Sequence, residues 1–276
     1  MPHEPLLDAL FDSLAGTGGS VPLRECAALL LKSPPSDTAA RILEPMVKQD
    51  PRFLLNCGRV FLSPRKGRAE DEPLSSIEFA VLDFETNGFA PDDRAIEVGV
   101  ACFRGGREIE RFDCLVNPGT GISRFVQRLT GIQESDLEGR PGFEEIWPDL
   151  SNILNGRILT AHNLPFDRRI LRKEIQRIRG GRPRIGENGI CTLKLARRLL
   201  PKGESKRLDA LADRFGFSFE ARHRAYGDAR VTGKLLYRLL EAASEEHPME
   251  TWADLRRLLA PAVRPGSSRS QPGGLS

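Results

Sequence analysis

Two carboxylates one residue apart, Asp83 and Glu85, close the run Val81-Leu82-Asp83-Phe84-Glu85-Thr86. In an extended strand, side chains at i and i+2 share a face, so the pair converges. Like charges at a buried strand end repel, and a positive charge between them relieves the repulsion. A hard divalent cation with oxygen ligands answers that need. The plainer alternative is a carboxylate capping the turn at Asn87-Gly88. Asp167 follows Thr160-Ala161-His162-Asn163-Leu164-Pro165-Phe166. Asn163 can cap a helix with Pro165 and Asp167 in its first turn. Asp167 then stands near the end of the preceding strand, where it also suits the positive end of the helix dipole. His223 and Asp228 are five residues apart, a spacing that does not place two side chains on one helix face. His223 is therefore expected in a loop, over a helix that carries Asp228.

These residues need a scaffold. Ile77–Leu82, Ala95–Phe103 and Glu108–Val116 read as three strands joined by short turns, and Ile158–Ala161 as a short buried strand. Helices are expected near Arg124–Leu129, Phe143–Leu154, Phe166–Ile178, Leu193–Leu200, Arg207–Phe215 and Ala225–Ala243. Hairpin-linked strands followed by alternating helices and strands imply an α/β domain on a mixed sheet, over 77–243. Residues 1–66 read as a separate α+β unit. Leu6, Leu7, Leu10, Phe11 and Leu14 recur at helical spacing, and further helices are expected around Leu23–Leu30 and Ile42–Val47, the last kinked or ended by Pro45. A hairpin follows, turning at Asn56-Cys57-Gly58-Arg59. Three helices and a hairpin resemble a winged helix in pattern. Residues 67–76 read as a linker, and 244–276 as a helix with a disordered tail.

Composition narrows the class. No stretch of the 276 residues approaches the ~20 apolar residues that cross a bilayer, and the first ten carry no basic region of a signal peptide. The five cysteines are scattered, with no C-x-x-C pair, so neither a disulfide framework nor a zinc site is expected, and the reducing cytoplasm is the expected compartment. Net charge is only +3, yet residues 157–238 hold 21 Lys/Arg against 8 Asp/Glu. Such a basic half suits a polyanion partner or is a solvated face. Residues 1–72 are nearly neutral, with 9 Lys/Arg and 10 Asp/Glu.

Taken together, D-x-E at 83–85, H-N-x-x-F-D at 162–167 and H-x-A-x-x-D at 223–228 resemble the DnaQ-like exonucleases of the DEDD superfamily, in the subclass with a catalytic histidine. Minor matches run in the same order: Ala95-Ile96-Glu97-Val98-Gly99, Leu129-Thr130-Gly131-Ile132, Thr192–Arg197 and Leu208–Leu211. The resemblance covers about Ile77 to Leu240 and implies a ribonuclease-H-like fold. It implies that Asp83, Glu85, Asp167 and Asp228 hold two Mg²⁺ or Mn²⁺ ions and that His223 activates water. Thr86, Asn87 and Gly88 fall where the family's chain meets the 3′-terminal nucleotide, and His162 and Asn163 are added as substrate contacts. Asn87 stands where relatives often have a second Thr, and Cys191 where an Asp is frequent. The implied partner is nucleic acid with a free 3′ end, DNA before RNA, with an exoribonuclease as the rival. A different rival makes residues 1–66 the main device, docking nucleic acid or a replication or repair protein. Oligomeric state is left open.

Overall fold

The computed structural model describes residues 6–7, 9–10, 13–14, 20–49, 53–56, 58–62, 70–88, 92–179, 189–245 and 248–260. Its larger sheet has five strands: β4 (Glu78–Thr86), β5 (Ala95–Arg104), β6 (Arg107–Leu115), β7 (Ile158–Ala161) and β8 (Ile190–Cys191). Their order is β6-β5-β4-β7-β8, which puts β4 at the centre. β4, β5 and β6 are antiparallel, whereas β7 and β8 run parallel to β4. This is the mixed, ribonuclease-H-like sheet expected. The expected strand at 77–82 is longer: β4 continues through Asp83 and Glu85, because Gly99 and Glu97 on β5 go on pairing with it. The two-residue β8 escaped sequence reading, being too short to show periodicity.

Alternation sorts β4 between two cores. Ala80, Leu82 and Phe84 pack on α5 (Phe143–Leu154) and α6 (Leu164–Arg179), through Trp147, Leu150, Ile170, Leu171 and Ile175. Ile77 and Phe79 face the opposite layer. That layer holds α7 (Thr192–Leu199), α8 (Leu208–Phe215), α9 (Ala225–Ser244) and α10 (Trp252–Leu259). Short helices α3 (Arg124–Thr130) and α4 (Glu134–Leu137) cover the end of β5 through Ile96, Val126 and Leu137.

α9 lies directly on the sheet because two glycines let it. A Cβ on Gly99 would meet the Tyr226 backbone nitrogen at 2.1 Å, and one on Gly233 would meet the Phe103 ring at 2.1 Å. Gly99 pairs with Asp83 across the β4–β5 ladder. The start of α9 therefore rests beside the first acidic residue.

Before this domain, β1 (Ser20–Pro22), α1 (Leu23–Leu31), α2 (Asp37–Gln49), β2 (Phe53–Asn56) and β3 (Arg59–Leu62) form a separate core with the helical residues Leu7, Leu10 and Leu14. The sheet order is β1-β3-β2, all antiparallel. Pro45 does not end its helix: α2 runs past it to Gln49, with Pro45 on the exposed side. Phe11 and Cys57 lie outside the described residues. The expected linker is in part docked. Pro73 bridges Thr251, the Trp252 amide donates to the Glu72 carbonyl at 2.9 Å, and Leu74 is buried. Buried Trp252 and Leu255 draw that strip onto the domain, so α10 belongs to the α/β core. Residues 63–69 and the tail from 261 lie outside the described residues. Among those described, no helix is long and apolar enough to cross a membrane.

Candidate active site

Three elements bring the acidic residues together. β4 presents Asp83 and Glu85 on the face that carries α9. The first turn of α6, with the Phe166 amide bonded to the Asn163 carbonyl at 2.8 Å, places Asp167 beside the end of β4. The backbone amides of Asp167 and Phe84 lower the Asp167 carboxyl pKa against the effect of burial. The first turn of α9 carries Asp228, which is buried. His223 stands two residues before α9 with φ +58°, a left-handed conformation rare outside glycine. Ligand atoms of Glu85, His223 and Asp228 all lie within 4.8 Å of one another.

Electrostatics follow from the crowding. Burial, then the charges of Asp167, Glu85 and Asp228, hold the Asp83 carboxyl well above its ordinary range. Burial and the Asp228 charge push Glu85 up to about 8. Burial raises Asp167 to about 7 and Asp228 to about 6, the latter opposed by Arg222. Asp228 Oδ1 is buried without a hydrogen-bond partner. Four crowded carboxylates, with Asp83 and Glu85 raised by the charges of the others and an orphaned oxygen on Asp228, suit hard divalent cations.

Arg222 is the residue that motif reading missed. Its guanidinium bonds Asp209 and Asp228 and approaches His223 Nδ1 at 3.3 Å. A cation next to the loop histidine was visible in the sequence, but nothing local indicated that it turns inward. Burial and the Arg222 charge depress the His223 pKa, which favours the neutral, proton-accepting imidazole.

The expected substrate contacts divide. Asn163 is exposed and lines a groove of about 710 Å³ that opens over Asp83, Asp167 and Asp228 and is walled by Arg197, Lys202 and Arg207. His162 lines the same groove, but both of its ring nitrogens are engaged, with Thr192 Oγ1 at 3.0 Å and the Lys206 carbonyl at 2.9 Å. It ties the loop after α7 to the end of β7, which leaves no ring nitrogen for a substrate. The Asn87 side chain is likewise occupied, donating to Thr120 Oγ1 and the Gly121 carbonyl and accepting from the Arg94 amide. The Thr86 hydroxyl donates to the Gly88 carbonyl. On α6, Arg169 and Lys173 clamp buried Asp93, each at 2.8 Å.

Comparison with known proteins gives the family. The sequence model of the RNase T exonuclease family matches residues 80–236, more than half of the chain. DNA polymerase III subunit epsilon of Aquifex aeolicus is 31% identical over 197 residues, 71% of this chain and 96% of that protein. DNA polymerase III PolC-type of Thermotoga maritima is 37% identical over 177 residues, 63% of this chain, but the match spans 12% of that polymerase. Exonuclease X in complex with 5′ overhanging duplex DNA superposes with a TM-score of 0.50 at 26% identity, covering 60% of this chain and 93% of that one. The nuclease domain of 3′hExo, a DEDDh family member bound to rAMP, shares the fold with a TM-score of 0.52 at 19% identity, over 60% and 92% of the two chains. The chain belongs to this exonuclease family, and is a 3′→5′ nuclease of the divalent-metal-dependent, DnaQ-like kind.

Proposed function

We propose that the chain removes nucleotides from the 3′ end of single-stranded or frayed DNA and releases nucleoside 5′-monophosphates. The observation that carries this reading is the gathering of acids from three elements: Asp83, Asp167 and Asp228 line one groove, Asp83 feels the charges of Glu85, Asp167 and Asp228, and Glu85, His223 and Asp228 bring ligand atoms within 4.8 Å of one another. Asp83, Glu85, Asp167 and Asp228 would hold two Mg²⁺ or Mn²⁺ ions, an all-oxygen set that suits either. Bound there, the ions supply electrophilic stabilisation of the attacking and leaving oxygens. His223, kept neutral by burial and Arg222, takes the proton of the attacking water. Its place near Glu85 and Asp228 fits a base beside the ions better than a fifth ligand, since hard cations favour oxygen. Asn163 and the wall of Arg197, Lys202 and Arg207 would meet the terminal nucleotide and its phosphates.

DNA is preferred over RNA because the sequence relatives compared above are DNA polymerase components. The test is a digestion panel of 3′- and 5′-labelled single- and double-stranded DNA and RNA oligomers with Mg²⁺, Mn²⁺ or EDTA. Faster loss of RNA than of matched DNA would make the chain an exoribonuclease.

The N-terminal unit is read as a winged-helix-like domain, supported by its β1-β3-β2 order around α1 and α2. Leu29, Leu31 and Ile42 are exposed on its helices, and Ile42 is 60% accessible. Together with near-neutral charge, they favour a replication or repair protein over phosphate as its contact.

A further inference from the structure

We propose that Glu97 is a positioning residue for His223, acting through Arg224 and the first amide of α9. The inference rests on the reading of His223 as the base. Glu97 is 1% exposed and sits on β5 opposite Glu85, on the face that meets α9. Its Oε1 accepts from Arg224 Nε at 2.9 Å and Nη2 at 2.7 Å, and its Oε2 accepts from the Ala225 amide at 2.9 Å. Arg224 is the N-cap of α9 and makes no side-chain cap of its own. Glu97 therefore caps the helix from the neighbouring sheet, where a negative charge is favoured.

The consequence falls on the adjoining residue. His223 lies between two held arginines: Arg224 is pinned to Glu97, and Arg222 to Asp209 and Asp228. Gly99, two residues along β5, admits the Ala225–Tyr226 backbone, and Gly227 leaves room for the Ala221 carbonyl, which a Cβ would meet at 2.5 Å. The turn from 221 to 228 is thus fastened at both ends. A left-handed non-glycine residue persists only where its surroundings over-determine it.

A carboxylate is a costly choice at position 97. It is a further negative charge beside the acidic cluster and contributes to raising Glu85. A neutral acceptor would cap the helix without that repulsion. What the charge adds is the forked ion pair with Arg224, which sets direction as well as distance. Reaction rates fall steeply when a reacting group is displaced by even 1 Å.

The test is a double-mutant cycle on the full chain with 3′-labelled DNA. Glu97→Ala should lower kcat by roughly 10- to 100-fold while KM moves less than about twofold. Glu97→Gln, which keeps an acceptor for the Ala225 amide, should recover part of the loss. In a His223→Ala background, Glu97→Ala should cost nothing further, because the base it positions is gone. If the double variant is slower by the full single-variant factor, Glu97 serves the fold at large and the proposal fails. If His223→Ala itself runs at wild-type rate, the base assignment fails and takes the proposal with it. Should Glu97→Ala not fold by circular dichroism, Arg224→Ala replaces it in the same cycle, and additivity there is equally fatal.

Discussion

At the scale of single residues, the acidic cluster and its histidine make separable predictions. His223→Ala should reduce kcat by about 10²–10⁴-fold, the usual contribution of a positioned base. Because burial and Arg222 depress the His223 pKa, the wild-type rate should fall only below its ordinary value of ~6.5, as the imidazole takes up a proton. A kcat profile from about pH 5 to 8 should show that acid limb in the wild type and lose it in His223→Ala. Asp83→Asn should abolish nucleotide release. It should also raise the melting temperature of the metal-free protein, since it removes a charge repelled by Asp167, Glu85 and Asp228. A lower melting temperature for that variant would mean that the cluster is not under electrostatic strain. Arg222 belongs to this scale too. It neutralises part of the cluster from inside the protein, so Arg222→Ala should sharpen the dependence of melting temperature on Mg²⁺.

At the scale of elements, the contact of α9 with the sheet decides whether the site exists. Gly99→Ala puts a methyl group into the Tyr226 backbone, a collision that no rotamer relieves. Urea unfolding should show a loss at the upper end of the roughly 1–3 kcal/mol typical of overpacking. Gly233→Ala should cost less than Gly99→Ala, because the Phe103 ring it meets is a side chain that can turn. The same element shows what sequence reading can and cannot reach. The alternating β4 pattern, the Asn163-x-Pro165 helix start and the five-residue gap from His223 to Asp228 are local signals, and the elements they imply are those that carry the five proposed residues. Pairing was not local. Nothing near Glu97 tells that it crosses to Arg224, and nothing near Arg222 tells that Asp209 will meet it. The hydrogen bonds of His162 and Asn87 were hidden for the same reason: their partners, Thr192, Lys206 and Thr120, lie 30, 44 and 33 residues away. Pro45 was over-weighted because its missing amide and its ring fall on the exposed side of α2.

At the scale of the whole molecule, the acids set how stability responds to pH. Glu85, Asp167 and Asp228 have folded-state values of about 8, 7 and 6, all above their unfolded ones. The stability that protonation provides is full below the unfolded range near 4 and is lost as pH rises through 6 to 8. The metal-free protein should therefore melt at a lower temperature at pH 8 than at pH 5. Mg²⁺ or Mn²⁺ should restore more at pH 8, where the cations no longer compete with protons for the carboxylates. Calorimetry in EDTA and in excess metal checks both statements, and a metal-free melting temperature independent of pH over that span would contradict the electrostatic account.

The dependence of the site on α9 also bears on how the protein is made. β4 and α6 precede α9 in the chain, so a ribosome delivers Asp83, Glu85 and Asp167 well before His223 and Asp228. A growing chain can begin to assemble its sheet while still lacking both the base and the fourth acid. The full set of groups is present only when the helix of Ala225–Ser244 settles onto the sheet at Gly99 and Gly233. A nuclease made in this order passes those earlier stages without the complete set of groups that hydrolysis needs.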